Sequence, residues 1–158
     1  MAVPKRVLNF LEKTKVKHEI INHRTVYTAY DKAATLKVKP NIIGKTLVLK
    51  IDGSIAIVLI PGNKNLDKNK FKKLAKVKRV DFVSEKLMKN KFKGMKTGAI
   101  PPFGDLWKLP TFIDKSLISL SQIILNSGDY NFSIKIKGSI LKKLILAPVI
   151  GNFTKAKK

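Results

Sequence analysis

The chain has 158 residues, 44% of them hydrophobic, and its 33 lysine and arginine residues against 10 aspartate and glutamate residues give a net charge of +23. This length suits one domain with a sizeable core, and the lack of cysteine excludes disulfides, thiol nucleophiles and thiolate metal sites. No apolar stretch approaches the ~20 residues that cross a membrane, and the first ten residues lack the apolar core of a signal peptide, so we expect a cytoplasmic protein.

The positive charge predicts a polyanionic partner, with RNA or DNA first and an anionic membrane surface second. Only Arg6, Arg24 and Arg79 are arginine. Lysine contacts phosphate as a point charge without reading a guanine edge, so the composition favours recognition of backbone and shape. For any single lysine, coating the surface is the simpler interpretation.

The chain begins with a predicted helix and a short strand. Pro4 suits the first turn of a helix that runs to about Thr14. Residues 18–23 then form a predicted strand with a histidine at each end. Because His18 and His23 are five positions apart, they would face opposite sides of the strand, and no carboxylate cluster joins them. We therefore predict neither a metal pair nor a catalytic base there.

A second short helix and a hairpin follow. Thr28 and Asp31 form a variant capping box that opens the helix, which ends before Pro40. Two apolar, β-rich runs over 44–51 and 54–61 then meet at an Asp-Gly pair, whose tolerance of positive φ suits a type I′ turn. Because these runs carry few charges in a lysine-rich chain, we expect the hairpin to be the buried centre.

One nucleotide-binding motif is excluded at the start of this hairpin. Gly44-Lys45-Thr46 matches the end of a P-loop, but the motif needs glycine five residues earlier, where the sequence has Lys39. The segment that follows is a predicted strand, so no helix N-terminus offers free N–H groups to a phosphate. We therefore exclude nucleotide hydrolysis.

The rest of the chain predicts short helices and strands. They are a lysine-decorated helix over 66–75, a strand over 77–83, a helix capped by Ser84 that ends near Gly94, strands over 112–114 and 132–137, an apolar run over 119–125 and a final helix from Ile140. These elements predict a mixed α+β fold, with a strongly bent mixed or antiparallel β-sheet or barrel and peripheral short helices. We expect one domain over residues 1–152 and a disordered basic tail over 153–158.

Residues 96–104 cannot form regular structure. The adjacent Pro101 and Pro102 fix φ and remove two amide donors, while Gly98 and Gly104 give the chain freedom on either side. A stiff loop with mobile joints is expected. Taken alone, the stretch is equally consistent with a surface turn and with a wall that lets the backbone approach a ligand.

Five motifs occur in order along nearly the whole chain. They are GKTLV at 44–48, Pro61-Gly62 at the hairpin end, GAIPPFG at 98–104, IDKSL at 113–117 and NSG at 126–128. The ordered set resembles the YbaK/prolyl-tRNA synthetase-associated domain family, whose members are aminoacyl-tRNA deacylases. The resemblance implies a YbaK-like fold and a trans-editing hydrolase that acts on the acceptor end of mischarged tRNA, with an aminoacyl-tRNA synthetase as a second candidate partner.

The resemblance also implies roles for individual residues. Lys45 would hold the acyl ester and the terminal adenosine, and backbone N–H groups of Gly98 and Gly128 would face the reacting carbonyl, so these three are the implied catalytic residues. The implied substrate-binding residues are Thr46, Ala99, Ile100, Pro101, Pro102, Phe103, Gly104 and Ser127. No metal or other cofactor is implied. Without the resemblance, a solubilising charge at a sheet edge would be the simpler interpretation of Lys45.

One departure from the family pattern leaves the substrate open. The common loop is G-G-x-S-P-F-G. In this chain Ala99 stands in place of the second glycine, and Pro101 stands in place of the serine. A methyl group and a pyrrolidine ring should narrow or stiffen the pocket, so the amino acid removed is not predicted. The alternatives are a catalytically silent tRNA-binding or synthetase-associated module of the same fold, and a basic protein that binds nucleic acid nonspecifically.

Overall fold

A computed structural model describes residues 2–157, which contain five α-helices and ten strands. The helices are α1 (Lys5–Thr14), α2 (Ala29–Leu36), α3 (Lys68–Ala75), α4 (Glu85–Lys91) and α5 (Leu141–Leu144). The strands are β1 (Glu19–Asn22), β2 (Gly44–Ile51), β3 (Ser54–Pro61), β4 (Lys64–Leu66), β5 (Val80–Phe82), β6 (Thr111–Asp114), β7 (Ile123–Asn126), β8 (Phe132–Ile136), β9 (Val149–Gly151) and β10 (Thr154–Ala156). Within these residues, no helix has the length and apolar character needed to span a bilayer.

The largest sheet is mixed and has the strand order β5-β2-β3-β6-β9. Its β2–β3 and β2–β5 pairs are antiparallel, whereas β3–β6 and β6–β9 are parallel. A second, antiparallel sheet has the order β1-β8-β7, and one parallel bridge from Ile43 to Ile124 connects it with the start of β2. The α+β prediction is confirmed. The barrel form of that prediction is not, because β5 and β9 remain as two separate edges of the large sheet.

The predicted hairpin forms the centre of the large sheet. Asp52 and Gly53 have φ values of 46° and 88°, as a type I′ turn requires, and the pairing runs from Ile51 opposite Ser54 to Gly44 opposite Pro61. The side chains of residues 56–60 are fully buried or nearly so. This burial explains why that stretch of β3 carries no charge and makes the hairpin a rigid base for the residues at its open end.

Side-chain caps mark the starts of α2 and α4, as the sequence predicts. Thr28 Oγ1 accepts a hydrogen bond from Asp31 N at 3.0 Å, and Ser84 Oγ accepts one from Leu87 N at 3.2 Å. The Asp31 carboxylate binds Arg24 at 2.7 Å instead of returning to the N-cap amide, so the capping box is only half formed. The cap at Thr28 positions the first turn of α2 beside the start of β2.

The C-terminal segment differs from its prediction. Residues 153–158 were expected to be disordered, but β10 pairs with β4 and Phe153 is fully buried. The buried carboxylate of Asp114 accepts hydrogen bonds from Phe153 N at 3.3 Å and Thr154 Oγ1 at 3.2 Å. One aromatic anchor and one buried acceptor thus outweigh the mutual repulsion of the terminal lysines. Lys158 lies outside the described residues.

Candidate functional site

A cavity of about 400 Å³ lies at the open end of the hairpin, where the two sheets meet. Its volume is in the range of small-molecule sites. Five segments form its wall: 26–30 with Lys32, 43–46, 98–99, Asn126 with 129–130, and Lys157. The cavity therefore joins residues from near both ends of the chain.

Lys45 lies on this cavity at the start of β2. Its side chain is half-buried, and burial, followed by the nearby positive charge of Lys157, lowers the pKa of its ammonium group. Within the described residues, Lys45 Nζ takes part in no ion pair and donates no side-chain hydrogen bond to the protein. The lysine that the sequence singles out therefore presents an uncommitted cation to the cavity.

A second lysine on the cavity was not predicted. Lys32 is only 7% exposed, and its Nζ donates a hydrogen bond to Asn126 Oδ1 at 2.8 Å. Burial lowers the pKa of this ammonium to about 8. A signal was present in the sequence, because Lys32 shares the i, i+3, i+4, i+7 face of α2 with Ala29, Ala33 and Leu36, which is the face that packs inward.

Asn126 connects Lys32 to the proline-containing loop through hydrogen bonds. Its Nδ2 lies 3.3 Å from Ile100 O and 3.5 Å from Gly98 O, and it donates to both carbonyls. Because Lys32 in turn donates to Asn126, the amide group is fixed in one orientation. The two loop carbonyls therefore point toward Asn126.

Replacing Lys32 by methionine should change how stability depends on pH. Below about pH 8 the wild-type ammonium is charged in both the folded and the unfolded state; between about 8 and 10.5 only the unfolded state keeps its proton, so wild-type stability rises with pH. With each pKa unit worth about 1.4 kcal/mol, the stability advantage of Lys32→Met over wild type should shrink by about 3 kcal/mol from pH 7 to pH 10.5. Urea unfolding across this range measures it, and a pH-independent difference would contradict it.

The backbone of the loop at Gly98 has one free donor on the cavity. Gly98 has φ +88°, a conformation that glycine adopts readily, and within the described residues its N–H donates no hydrogen bond. The neighbouring amide is occupied, because Ala99 N donates to Lys96 O at 2.9 Å. Of the two loop residues that line the cavity, Gly98 is therefore the one whose N–H is free to bind a ligand.

Gly128 has a different environment from the one that its predicted role suggests. Its N–H donates to Ala99 O at 2.7 Å, and its carbonyl accepts from Lys96 N at 2.8 Å. A Cβ at this position would lie 2.7 Å from Met95 Sδ and 2.8 Å from Pro4 Cγ, so the turn is tightly packed on its other side. Gly128 does not line the cavity; it ties the loop to the end of β7.

The remaining predicted binding residues divide into two groups. Thr46 and Ala99 line the cavity, and Thr46 Oγ1 is buried without a hydrogen-bond partner among the described residues. Residues 100–104 are buried and do not line the cavity. Among them, Phe103 stacks on Phe10 with ring centroids 5.0 Å apart. Ser127 is also behind it, and its hydroxyl donates to Phe132 O at 2.7 Å.

Aromatic side chains surround the mouth of the cavity and were also not predicted. Tyr27 is 68% exposed and packs edge-on against Tyr130, with ring centroids 4.8 Å apart. Tyr30 is 48% exposed, and Lys157 Nζ lies 4.3 Å from the centroid of its ring. Exposed aromatic rings beside ammonium groups can stack on a nucleobase and contact its phosphates.

A model of the aminoacyl-tRNA editing domain family matches residues 23–144 of this chain. This range includes Lys32, Lys45, the 98–104 loop and Asn126. It is well over half of the sequence.

Three solved structures have similar folds. A hypothetical protein has a TM-score of 0.86 at 22% identity, over 96% of this chain and 100% of that chain. A candidate trans-editing enzyme for prolyl-tRNA synthetase has a TM-score of 0.84 at 19% identity, over 96% of each chain. A candidate signal transduction protein from Marinobacter aquaeolei has a TM-score of 0.73 at 14% identity, over 97% of this chain and 31% of that chain. At these identities the matches show a shared fold.

Proposed function

Because the chain belongs to the aminoacyl-tRNA editing domain family, we propose that it is a trans-editing hydrolase that deacylates mischarged tRNA. The observation that carries this proposal is the presence, on one cavity of about 400 Å³, of an uncommitted ammonium at Lys45 and a free backbone N–H at Gly98. The narrower kinship with YbaK/prolyl-tRNA synthetase-associated domains, and a cytoplasmic site of action, are parts of the same proposal.

The reaction needs little from the protein beyond positioning and charge. An aminoacyl ester is already activated, so water attacks the carbonyl carbon, the carbon–oxygen ester bond breaks, and the terminal ribose oxygen leaves and takes a proton. Negative charge develops on the carbonyl oxygen in the transition state. Gly98 N–H is the donor that would stabilise this oxygen, while Lys45 holds the ester and neutralises charge near the tRNA terminus.

The loop around Gly98 is preorganised for this role. Asn126 holds the carbonyls of Gly98 and Ile100, and Gly128 N–H holds the carbonyl of Ala99. In this proposal Gly128 acts by positioning the loop, because its own amide is already occupied. A rigid donor costs no reorganisation when charge develops, which is why fixed amides are effective in such sites.

The rest of the tRNA end fits the mouth of the cavity and the basic surface. The terminal adenine would stack on the exposed Tyr27 or Tyr30, with Lys157 near its phosphate. The acceptor stem would lie on the lysine-rich surface, whose charge suits contacts to backbone phosphates. An aminoacyl-tRNA synthetase that holds the same tRNA is a further partner in this proposal.

Gly98→Ala should reduce deacylation at least about tenfold with little unfolding. A Cβ there has its nearest neighbour, Tyr130 Cε1, at 4.0 Å, so the methyl fits, but φ +88° is strained for alanine and the amide will turn away from its present direction. Gly53→Ala is a matched control, since Gly53 has the same φ and open space around it, remote from the cavity. Single-turnover rates and melting temperatures of both variants measure the effect; equal activity in the two would remove Gly98 N–H from the mechanism.

A panel of tRNAs, each charged with a non-matching amino acid, tests the function itself. The purified protein should release one or two amino acids from the panel at rates above spontaneous hydrolysis. Binding without release of any amino acid would favour the silent tRNA-binding module. Failure to bind the charged tRNAs more tightly than unrelated RNA would remove both assignments and leave a nonspecific basic protein.

A further inference from the structure

Asp129 is a carboxylate on a cavity that otherwise carries positive charge. The ionisable groups of the wall include the three ammonium groups of Lys32, Lys45 and Lys157, and Asp129 is its single carboxylate. None of these four forms an ion pair with another described residue, because the ion pairs of residues 2–157 lie elsewhere. A buried carboxylate is stabilised most by a cation in direct contact, and no cation of the described residues lies within 4.0 Å of Asp129, so a cationic group of a ligand could take that position.

The carboxylate is held in a fixed position. Asp129 is 6% exposed, and its Oδ1 accepts a hydrogen bond from Asn131 N at 2.9 Å. Asn131 is itself fixed, because its Nδ2 donates to Thr25 Oγ1 at 3.0 Å and to His23 O at 3.3 Å. Within the described residues, Asp129 Oδ2 accepts no hydrogen bond. The second carboxylate oxygen is therefore available to a ligand.

Asp129 also lies on the turn that holds the free amide of the loop. Gly128 N donates to Ala99 O at 2.7 Å and Lys96 N donates to Gly128 O at 2.8 Å, so the turn and the loop move as one unit. The next residue, Tyr130, is the neighbour closest to Gly98 on its Cβ side. Asp129 and Gly98 thus both line the cavity, on two segments that these hydrogen bonds join.

We propose that Asp129 binds the α-ammonium group of the aminoacyl ester and makes the site selective for esters with a free α-amino group. This inference rests on the proposed deacylase function. In an α-aminoacyl ester the ammonium is one carbon away from the carbonyl, so an ester with its carbonyl oxygen at Gly98 N–H brings its α-ammonium to the part of the cavity that Gly98 and Asp129 line. N-acylation removes the charge and adds bulk, and both changes disfavour binding beside a buried carboxylate.

Asp129→Asn separates this role from a structural one. Asparagine has nearly the same volume, and its Oδ1 can still accept from Asn131 N, so the turn is kept while the charge is lost. The substrates are one tRNA charged with the amino acid best released by the wild type, with its α-amino group free or N-acetylated. Wild type should prefer the free amine by roughly 30-fold or more in kcat/KM, and Asp129→Asn should lose most of this preference by losing activity on the free amine alone.

The control is Asp81→Asn, which removes one carboxylate from the exposed strand β5 and should keep the wild-type preference. Equal hydrolysis of both substrates by wild type would overturn the proposal. So would an Asp129→Asn variant that keeps the wild-type preference, or one that loses activity equally on both substrates.

A binding measurement distinguishes failure of this inference from failure of the deacylase assignment. The probe is 3′-(L-alanylamino)-3′-deoxyadenosine, an amide that is not hydrolysed, compared with its N-acetyl form by calorimetry. Tighter binding of the free amine to wild type, lost in Asp129→Asn, would support the ammonium site even if no tRNA in the panel were deacylated. Equal binding of the two forms, or no binding of either, would overturn it.

Discussion

Lys45→Ala should lower deacylation by roughly 100- to 1,000-fold, comparable to the loss of one group that stabilises developing charge in other acyl-transfer sites. The ammonium lies on the cavity and is not used in any ion pair among residues 2–157. Burial and the charge of Lys157 lower its pKa, so the folded protein gains little from keeping this group charged. The variant should therefore remain folded, and single-turnover rates with circular dichroism check both expectations.

Two further variants sharpen this test. Lys45→Met keeps the aliphatic stem against the cavity wall and removes only the charge, so it should be as inactive as the alanine variant. Lys50→Ala removes a lysine from the same strand, but Lys50 is exposed and lies opposite Asp81 on β5, away from the cavity. Its activity should match wild type. Full activity in Lys45→Met would show that the ammonium takes no part in the reaction.

The second large expected effect is on tRNA binding, because the affinity for tRNA should fall steeply as the salt concentration rises. The net charge of +23 attracts phosphates, and each contact releases condensed counterions. With about five phosphate contacts, affinity should drop by roughly two to three orders of magnitude between about 50 and about 200 mM salt. Filter binding or fluorescence anisotropy with a mischarged tRNA measures the slope, and an affinity that hardly changed would contradict binding through the basic surface.

Single lysine variants can locate the surface that produces this slope. Lys157 lies at the cavity, so Lys157→Gln should remove one phosphate contact. The slope of log affinity against log salt concentration should then be smaller by about one. Lys142 is an exposed residue of α5 and does not line the cavity, so Lys142→Gln removes the same charge away from the cavity and should change the slope less than Lys157→Gln does. If both variants changed the salt dependence of tRNA affinity equally, the lysines would attract tRNA through the net charge of the protein and not through contacts at particular positions.

The elements that depend on local chemistry could be predicted from the sequence. The Asp-Gly turn defines the hairpin, and Thr28 and Ser84 define two helix starts through their own side chains. The adjacent prolines define the irregular loop in the same way. Each of these features is decided within a few residues, so no knowledge of the tertiary fold is needed.

The unpredicted part of the site depends on distant contacts. Lys32 is one lysine among many in the sequence, and only Asn126, 94 positions later, shows why it is buried. Lys157 belongs to a segment expected to be disordered until the burial of Phe153 anchors β10. Asp129 has the composition of an ordinary turn residue. Its place on a cavity with three lysines follows from the packing of two sheets, which no local pattern encodes.

The residues that line the cavity come from positions 26 to 157 of the chain. Binding of a ligand in the cavity should therefore raise the melting temperature of the protein. A compound seated there contacts segments that are adjacent only when both ends of the chain are folded, so the denatured chain has no affinity for it. At a concentration about 100 times its dissociation constant, such a compound raises the unfolding free energy by about 2.7 kcal/mol. Differential scanning fluorimetry with small adenosine derivatives can therefore screen for occupants of the cavity, with no tRNA in the assay.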